Sequence, residues 1–364
     1  MKYNKKVAGI LLATTLITTG VVGCGNIDHN AIAISVGNEE ISMGAANFYT
    51  RFQGALTETY YMSMLGVDMW ETEIGEGQTY QESVKEQVQT TLKELLVVKQ
   101  HAKELGIELS AEDTDKIKNT AKEFVEANKS EEVDQVIGTQ EQIEEILTLF
   151  MIDAKCKPVI VEDVDRNIAD KDAAQKKVAY VSFSTMKTEE EQQVAMTEEE
   201  KKEVKEKAED FLTESIKNKN LKETAEEAEL NPLETTFDSE SKNLPEDVIA
   251  ALDKLKKDEF TAVIETESAY FVAQLTSEMD KDATETKKES MIAERENEKY
   301  DKTVEAWIEE SEIEINKGQW KKIDLQELGV TIKQPEVEDP EVEGTETEES
   351  DANKDDEVKD KETK

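Results

Sequence analysis

Residues 80–113 read YQESVKEQVQTTLKELLVVKQHAKELGIELSAED, and this stretch decides the fold. Val84, Val88, Leu92, Leu95 and Leu96 recur at three- and four-residue intervals, the period of one face of an α-helix. A long amphipathic helix is therefore expected over Tyr80–Leu105, with Gly106 as its stop. Ser110-Ala111-Glu112-Asp113 then reads as the cap and acidic first turn of a second helix, running to about Asn128.

The same reading extends in both directions. Ala31–Val36 (AIAISV) is strand-like, and Gly37-Asn38 or Asn38-Glu39 turns it into Glu40-Ile41. Ser42 can cap a helix through Phe48, Phe52 and Leu56, followed by a loop around Gly66–Gly77. A further helix is expected from Gln140 to roughly Lys157, before Pro158. Near the other end, Glu298–Glu310 carries Val304, Trp307 and Ile308 on a helix. Glu312–Ile315 (EIEI) alternates like a short strand, with Trp320 and Ile323 beyond it. The expected fold class is α+β, mostly helical.

The 85 acidic residues outweigh the 44 basic ones, leaving a net charge of −41. Such a surface repels nucleic acid and anionic lipid headgroups and attracts cations or basic segments of other proteins. With 37% hydrophobic residues there is still material for one or two modest cores.

The ends read differently from the middle. Lys2, Lys5 and Lys6 precede the apolar run Val7–Val22, which is too short for a comfortable membrane span. The run closes in Val21-Val22-Gly23-Cys24, which resembles the lipobox of bacterial lipoproteins. That resemblance implies a signal peptide over residues 1–23 and acylation of Cys24 with fatty acid such as palmitate. Residues 24–30 would then be a tether, and the protein would be lipid-anchored outside the cytoplasmic membrane. If Cys24 carries lipid, Cys156 is the only thiol left, and it reads as a small buried apolar residue. Residues 336–364 hold 14 acidic residues, four Lys and no aromatic residue, so a disordered acidic tail is expected there.

Taken together, the strand, the turn VGNEEIS, the helix ending KQHAKELGIELS and the cap SAED resemble the helical chaperone lobe of PrsA/SurA-type foldases. In that family a helical lobe is interrupted by a parvulin-type prolyl isomerase domain, after which the chain returns to complete the lobe. The resemblance implies residues 31–170 as the N-terminal part of the lobe, 175–280 as the inserted parvulin-like α+β domain and 285–330 as the return. Lys177–Phe183 (KVAYVSF) resembles the first parvulin strand. Glu198–Lys219 is a charged helix with Val204, Ala208, Phe211, Leu212 and Ile216 as its apolar residues, and LKETAEEAEL resembles a short second helix. Leu255, Asp258-Glu259, Thr261, Val263-Ile264, Thr266, Ala269 and Phe271 keep the spacing of a parvulin run that otherwise carries Pro, Gly and His.

What is missing matters chemically. In parvulins two His residues form the polar floor of the pocket for the X-Pro bond, and those positions fall here at Tyr180 and Phe271. The apolar wall corresponds to Leu244 and Val248, which read equally well as core. The chain has two His, His29 and His101, and neither lies in the segment 175–280. From Thr139 to Asn316, 178 residues hold no glycine, which removes the family's Gly-Gly loop and any phosphate-cradling loop.

Other chemistries fail on inventory. No Ser-His-Asp or Cys-His arrangement can be assembled, and no zinc-ligand spacing exists. Asp163, Asp165 and Asn167 mimic the start of a calcium loop, but Ile168 stands where Gly is needed and Ala174 where Glu is needed. No cofactor and no metal are expected. The reading is an extracytoplasmic foldase or chaperone that binds unfolded exported polypeptides in an apolar cleft of the lobe. The parvulin-like domain would have weak or no isomerase activity. Two alternatives stay open: an active prolyl isomerase, and a ligand-binding or scaffolding lipoprotein. The oligomeric state is open too, a dimer included.

Overall fold

In the computed structural model, which describes residues 27–65, 69–75, 77–127, 138–189 and 192–326, AIAISV forms strand β1 (Ile32–Val36). The chain turns at Gly37, φ +57°, into β2 (Glu39–Ser42). A two-residue loop with positive φ at Gly37 and not at Asn38 follows the type II′ pattern, which suits strand twist. A Cβ on Gly37 would also stand 2.2 Å from Oε1 of Gln100, so the close approach needs glycine as well. Ser42 then caps α1 (Met43–Leu65): its Oγ accepts from the Ala45 amide at 3.1 Å and donates to Glu145.

A 3-10 turn (Met69–Glu71) and a ribbon of β3 (Glu73–Gly75) and β4 (Gln78–Thr79) occupy the segment expected to be a loop. Met69 and Trp70 are buried there, and Trp70 packs on Tyr80 with ring centroids 5.9 Å apart. The helices α2 (Tyr80–Ala102), α3 (Ala111–Ala127) and α4 (Gln140–Ile160) follow. The stripe Val84, Val88, Leu92, Leu95 and Leu96 of α2 is buried against Ile34, Ile41, Met43, Ile146 and Leu149. Gly106 is left-handed at φ +72°, as a helix stop requires. Helix α4 runs past Pro158 instead of ending before it. Pro158 falls in the last turn, and burial of Cys156, Ile160 and Val161 holds that turn in place.

A second sheet has the strand order β8-β5-β10-β9, all antiparallel, built from β5 (Lys176–Ser184), β8 (Leu233–Phe237), β9 (Ile264–Glu265) and β10 (Ala269–Ser277). Between β5 and β8 come a hairpin, β6 (Met186–Glu189) with β7 (Gln192–Ala195), and two helices, α5 (Glu198–Asn218) and α6 (Leu221–Glu227). Helix α7 (Glu246–Leu252) lies between β8 and β9. Alternation along β5 and β10 gives each face its own core. Ala179, Val181, Tyr270 and Val272 pack under Ala208, Phe211, Leu221 and Ala225, whereas Val178, Phe237, Ala273 and Leu275 pack under Leu244, Val248, Ile249 and Leu252.

The chain leaves this sheet on α8 (Lys281–Glu310), 30 residues long and starting well before the expected Glu298. Where the chain enters and leaves, Gln175 ties the strands to α8. Its amide donates to Thr284 Oγ1 at 3.1 Å, and its carbonyl accepts from the Asp280 amide at 2.7 Å. Beyond α8, β11 (Ile313–Ile315) pairs with β1, giving a sheet of order β11-β1-β2. A short helix, α9 (Lys317–Trp320), brings Trp320, Ile323 and Leu325 into the core of α2. Trp320 Nε1 donates to the Ala33 carbonyl at 3.2 Å, pinning this return to β1.

Residues 27–30, expected in the tether, are docked: Ile27 packs on the core, and the Asp28 amide donates to Gln319 Oε1 at 3.1 Å. The signal-like segment, Cys24 and residues 336–364 lie outside the described residues. No helix among the described residues is long and apolar enough to cross a membrane.

Candidate functional site

Tyr180 on β5 stands opposite Ala273 on β10, and Ser182 opposite Phe271. Positions 178, 180 and 182 therefore share one face with 271, 273 and 275. The Tyr180 and Phe271 rings stack with centroids 5.9 Å apart and planes 30° apart. Leu244 and Val248 belong to the same apolar cluster. Four positions spread over 92 residues of sequence thus converge on one sheet face.

They do not play equal parts. Leu244 and Val248 are 6% and 0% exposed, so they are core beneath and before α7 rather than the wall of an open groove. Tyr180 and Phe271 are half-buried, because α7 covers only the end of the face that holds Val178 and Leu275. The register extends the open part to both edges of the sheet. Leu233 on β8 lies directly opposite Tyr180, and Ile264 on β9 directly opposite Phe271. Leu233 is 43% exposed. The result is an apolar strip, Leu233–Tyr180–Phe271–Ile264, crossing four strands over about 14 Å. Sequence reasoning named its two central residues as site positions, placed Ile264 in the parvulin-like run without a site role, and missed Leu233. That the four lie side by side is a matter of strand register, which a single sequence does not carry.

The strip's chemistry is simple. The Tyr180 hydroxyl makes no hydrogen bond to a described residue and is free to donate one, whereas Phe271 offers no polar atom. Neither His is near: the His101 ring stacks on Trp307 at 4.2 Å with Nδ1 3.0 Å from Glu104, and the His29 carbonyl accepts from the Gly44 amide. The strip can bury apolar side chains of a bound chain, with one hydrogen-bond donor at its centre.

Two clefts open in the helical part among the described residues, and the smaller, about 390 Å³, is lined by Leu105, Val159, Ile160, Thr303 and Trp307 beside Glu162, Asp163 and Lys299. The larger, about 990 Å³, opens between α2 and the C-terminal return, but Gln78, Gln81, Glu82, Lys85 and Lys321 dominate its lining. Its two aromatic residues, Trp70 and Trp320, are 4% and 3% exposed. The Trp70 ring packs on Tyr80 and the Trp320 indole N–H is spent on the Ala33 carbonyl, which leaves this larger cleft a polar mouth.

The remaining singled-out residues have structural partners. Cys156 is fully buried, and burial, helped by the charge of Asp153, pushes its thiol up to about 11. Asp163 pairs with Lys299 at 3.0 Å, Asp165 accepts from the Asn167 amide at 2.9 Å, and the Asp165 carbonyl accepts from Arg295 at 2.8 Å. These groups tie the segment after α4 to α8. Among the described residues no group of three His, Cys, Asp or Glu is placed to hold a metal.

No protein-family model and no curated protein matches the chain. Among solved structures, the chain is similar to a crystal structure of the foldase PrsA from Lactococcus lactis. The identity is 15%, over 80% of this chain and 97% of that one, with a TM-score of 0.33. It is similar to the foldase PrsA from Streptococcus pneumoniae at 21% identity, over 70% of this chain and 98% of that one, with a TM-score of 0.31. The peptidylprolyl isomerase PrsA from Bacillus cereus is similar at 16% identity, over 71% and 99%, with a TM-score of 0.30. At TM-scores this low, fold and activity rest on the chain's own residues.

Proposed function

We propose that this chain is an extracytoplasmic foldase-type chaperone, anchored through Cys24, that holds unfolded exported polypeptides and has weak or no prolyl isomerase activity. The observation that carries the reading is the strip Leu233–Tyr180–Phe271–Ile264, half-open and apolar at the site where an isomerase would need a polar floor. An extended chain advances about 3.3 Å per residue, so the strip offers contact to about four residues. Rotation about X-Pro faces a barrier near ~20 kcal/mol, and a single phenol hydroxyl beside Phe271 gives little with which to lower it. In this reading residues 31–170 and 285–330 form the lobe, which frames the inserted segment 175–280, and clients meet the strip before the polar cleft.

The test is a pair of assays on the full chain, aggregation suppression with an unfolded client and cis/trans exchange in a proline peptide. The expected result is suppression without measurable acceleration of exchange, with suppression lost severalfold in Tyr180→Ala/Phe271→Ala. Acceleration of exchange by orders of magnitude would refute the holding-only reading. Undiminished suppression in the double variant would move clients off the strip.

A further inference from the structure

The opposite face of the same sheet carries a second opening. Helices α5 and α6 do not close completely over β5, and a groove of about 450 Å³ remains between them. Its floor is the half-buried Phe183 and Leu230, with the buried Phe211 ring behind Phe183, the two rings 5.7 Å apart and tilted by 58°. Its rim carries Asp210, Glu214 and Glu227 against a single cation, Lys207.

The rim charges are available. Asp210, Glu214 and Glu227 are all exposed, and among the described residues Glu214 alone of the three has an ion-pair partner, Lys217 at 2.8 Å. The surroundings deepen the negative field. Helix α6 and the turn after it add Glu223, Glu226 and Glu229, against Lys222, which is itself paired with Glu234 at 3.0 Å. Rim carboxylates over an apolar floor favour a ligand that combines an apolar side chain with flanking positive charge, and they repel an acidic one.

We propose that this groove is a second polypeptide-docking site, selective for segments in which an apolar or aromatic side chain is flanked by lysine or arginine. The aromatic floor takes the apolar side chain, and Asp210, Glu214 and Glu227 meet the cations. The site is separate from the Tyr180–Phe271 strip, from which the sheet itself divides it, and it stands whether or not that strip holds clients.

The test uses the full chain and three fluorescein-labelled peptides in anisotropy titrations. One carries Leu-Phe between paired lysines in a Gly-Ser context, one has the lysines replaced by glutamate, and one has Leu-Phe replaced by serine. Only the first should bind, and added salt should weaken it. Asp210→Lys/Glu214→Lys should weaken it about tenfold or more, since each reversal turns an attraction into a repulsion. Asp210→Glu should retain binding. Ala228→Trp, at an exposed position lining the groove, should block it without touching a charge. Circular dichroism confirms that each variant is folded. Equal binding of the glutamate peptide, or unchanged binding in both the reversed and the blocked variants, overturns the proposal. Loss of binding in Tyr180→Ala/Phe271→Ala with no loss in Asp210→Lys/Glu214→Lys also overturns it, while leaving the strip's role intact.

Discussion

Replacing Lys219, Glu229 or Asp258 by glycine should stabilise the protein, although glycine in place of a larger residue usually does the reverse. These three are the non-glycine residues at positive φ among the described residues, at +60°, +55° and +68°. All three fall inside the 178 residues that contain no glycine. Lys219 ends α5 in the left-handed conformation, where glycine is the usual residue. Each side chain is exposed, so little packing is lost with it. The left-handed conformation costs a residue with a Cβ about 1–2 kcal/mol, while glycine's greater freedom in the unfolded chain costs about 0.5–1 kcal/mol. The difference predicts a gain of about 0.5–1 kcal/mol at Lys219 and at Glu229. The gain should be smaller at Asp258, because aspartate tolerates this region better. The assay is thermal or urea unfolding of the full chain, where each kcal/mol should move the midpoint by about 2–4 °C. Lys219→Ala is the control, since alanine keeps the Cβ and should gain nothing. Glycine variants that melt at or below wild type, or alanine matching glycine, would refute the reasoning.

Other outcomes follow from single contacts. Gln274 is buried, accepting from the Leu221 amide at 3.0 Å and donating to the Lys219 carbonyl at 3.3 Å. Gln274→Leu should strand both groups and cost about 1–3 kcal/mol by urea unfolding. Burial opposes ionisation of Asp238, but hydrogen bonds from Gln175, Ser241 and Lys287 outweigh it and hold the carboxyl at about 2, below the ordinary 3.8. A depressed pKa adds stability that is present above the unfolded value and lost as pH falls through the folded one. Asp238→Asn should therefore cost about 2 kcal/mol near neutral pH and flatten the loss of stability between pH 3.8 and about 2, read from unfolding curves across pH. Cys24→Ala should leave the protein unanchored or unprocessed, so a variant as firmly membrane-bound as wild type in fractionation would refute the lipobox reading.

What could be read from sequence was whatever periodicity or capping chemistry writes locally. The stripe of α2, the Gly106 stop and the Ser110–Asp113 cap needed no tertiary information. The starts of α4 and α5 were equally available. Thr139 with Gln142 and Thr197 with Glu200 form capping boxes, a signal that a Thr-x-x-Glu/Gln search finds. The hairpin of β6 and β7 was not available, because MKTE and QQVA carry no apolar alternation. Lys187 anchors it instead, through Glu200 at 2.7 Å and Glu189 at 3.0 Å. The candidate site divides along the same line. Tyr180 and Phe271 were reached through the resemblance to parvulin strands and Ile264 as part of the same spaced run, whereas Leu233 joins them only through register.

Helix α8 shows why the rest was hidden. Its second half, with Tyr300, Val304 and Trp307 against the larger core, has the apolar spacing that predicts a helix. Its first half, KDATETKKESMIAEREN, buries only Thr284, so no hydrophobic stripe announces it. What holds that half is charge spread across the sequence. Lys288 pairs with Asp170, Arg166 pairs with Glu296 at 2.7 Å, and Lys287 pairs with Asp238 at 3.2 Å. Each pair is partly exposed and worth little alone, about 0–1 kcal/mol. Together they fasten one polar helix to the segment entering the sheet and to the sheet itself. A helix whose partners lie 49 to 130 residues away in sequence leaves no local pattern to read. The same pairs make a physical claim about the frame of the strip. Because the pairs are exposed and screened, salt should loosen the junction of α8 with the sheet before it touches either core. Hydrogen exchange at rising ionic strength should therefore speed first at residues 281–297, while the amides of β1 and β5 stay protected.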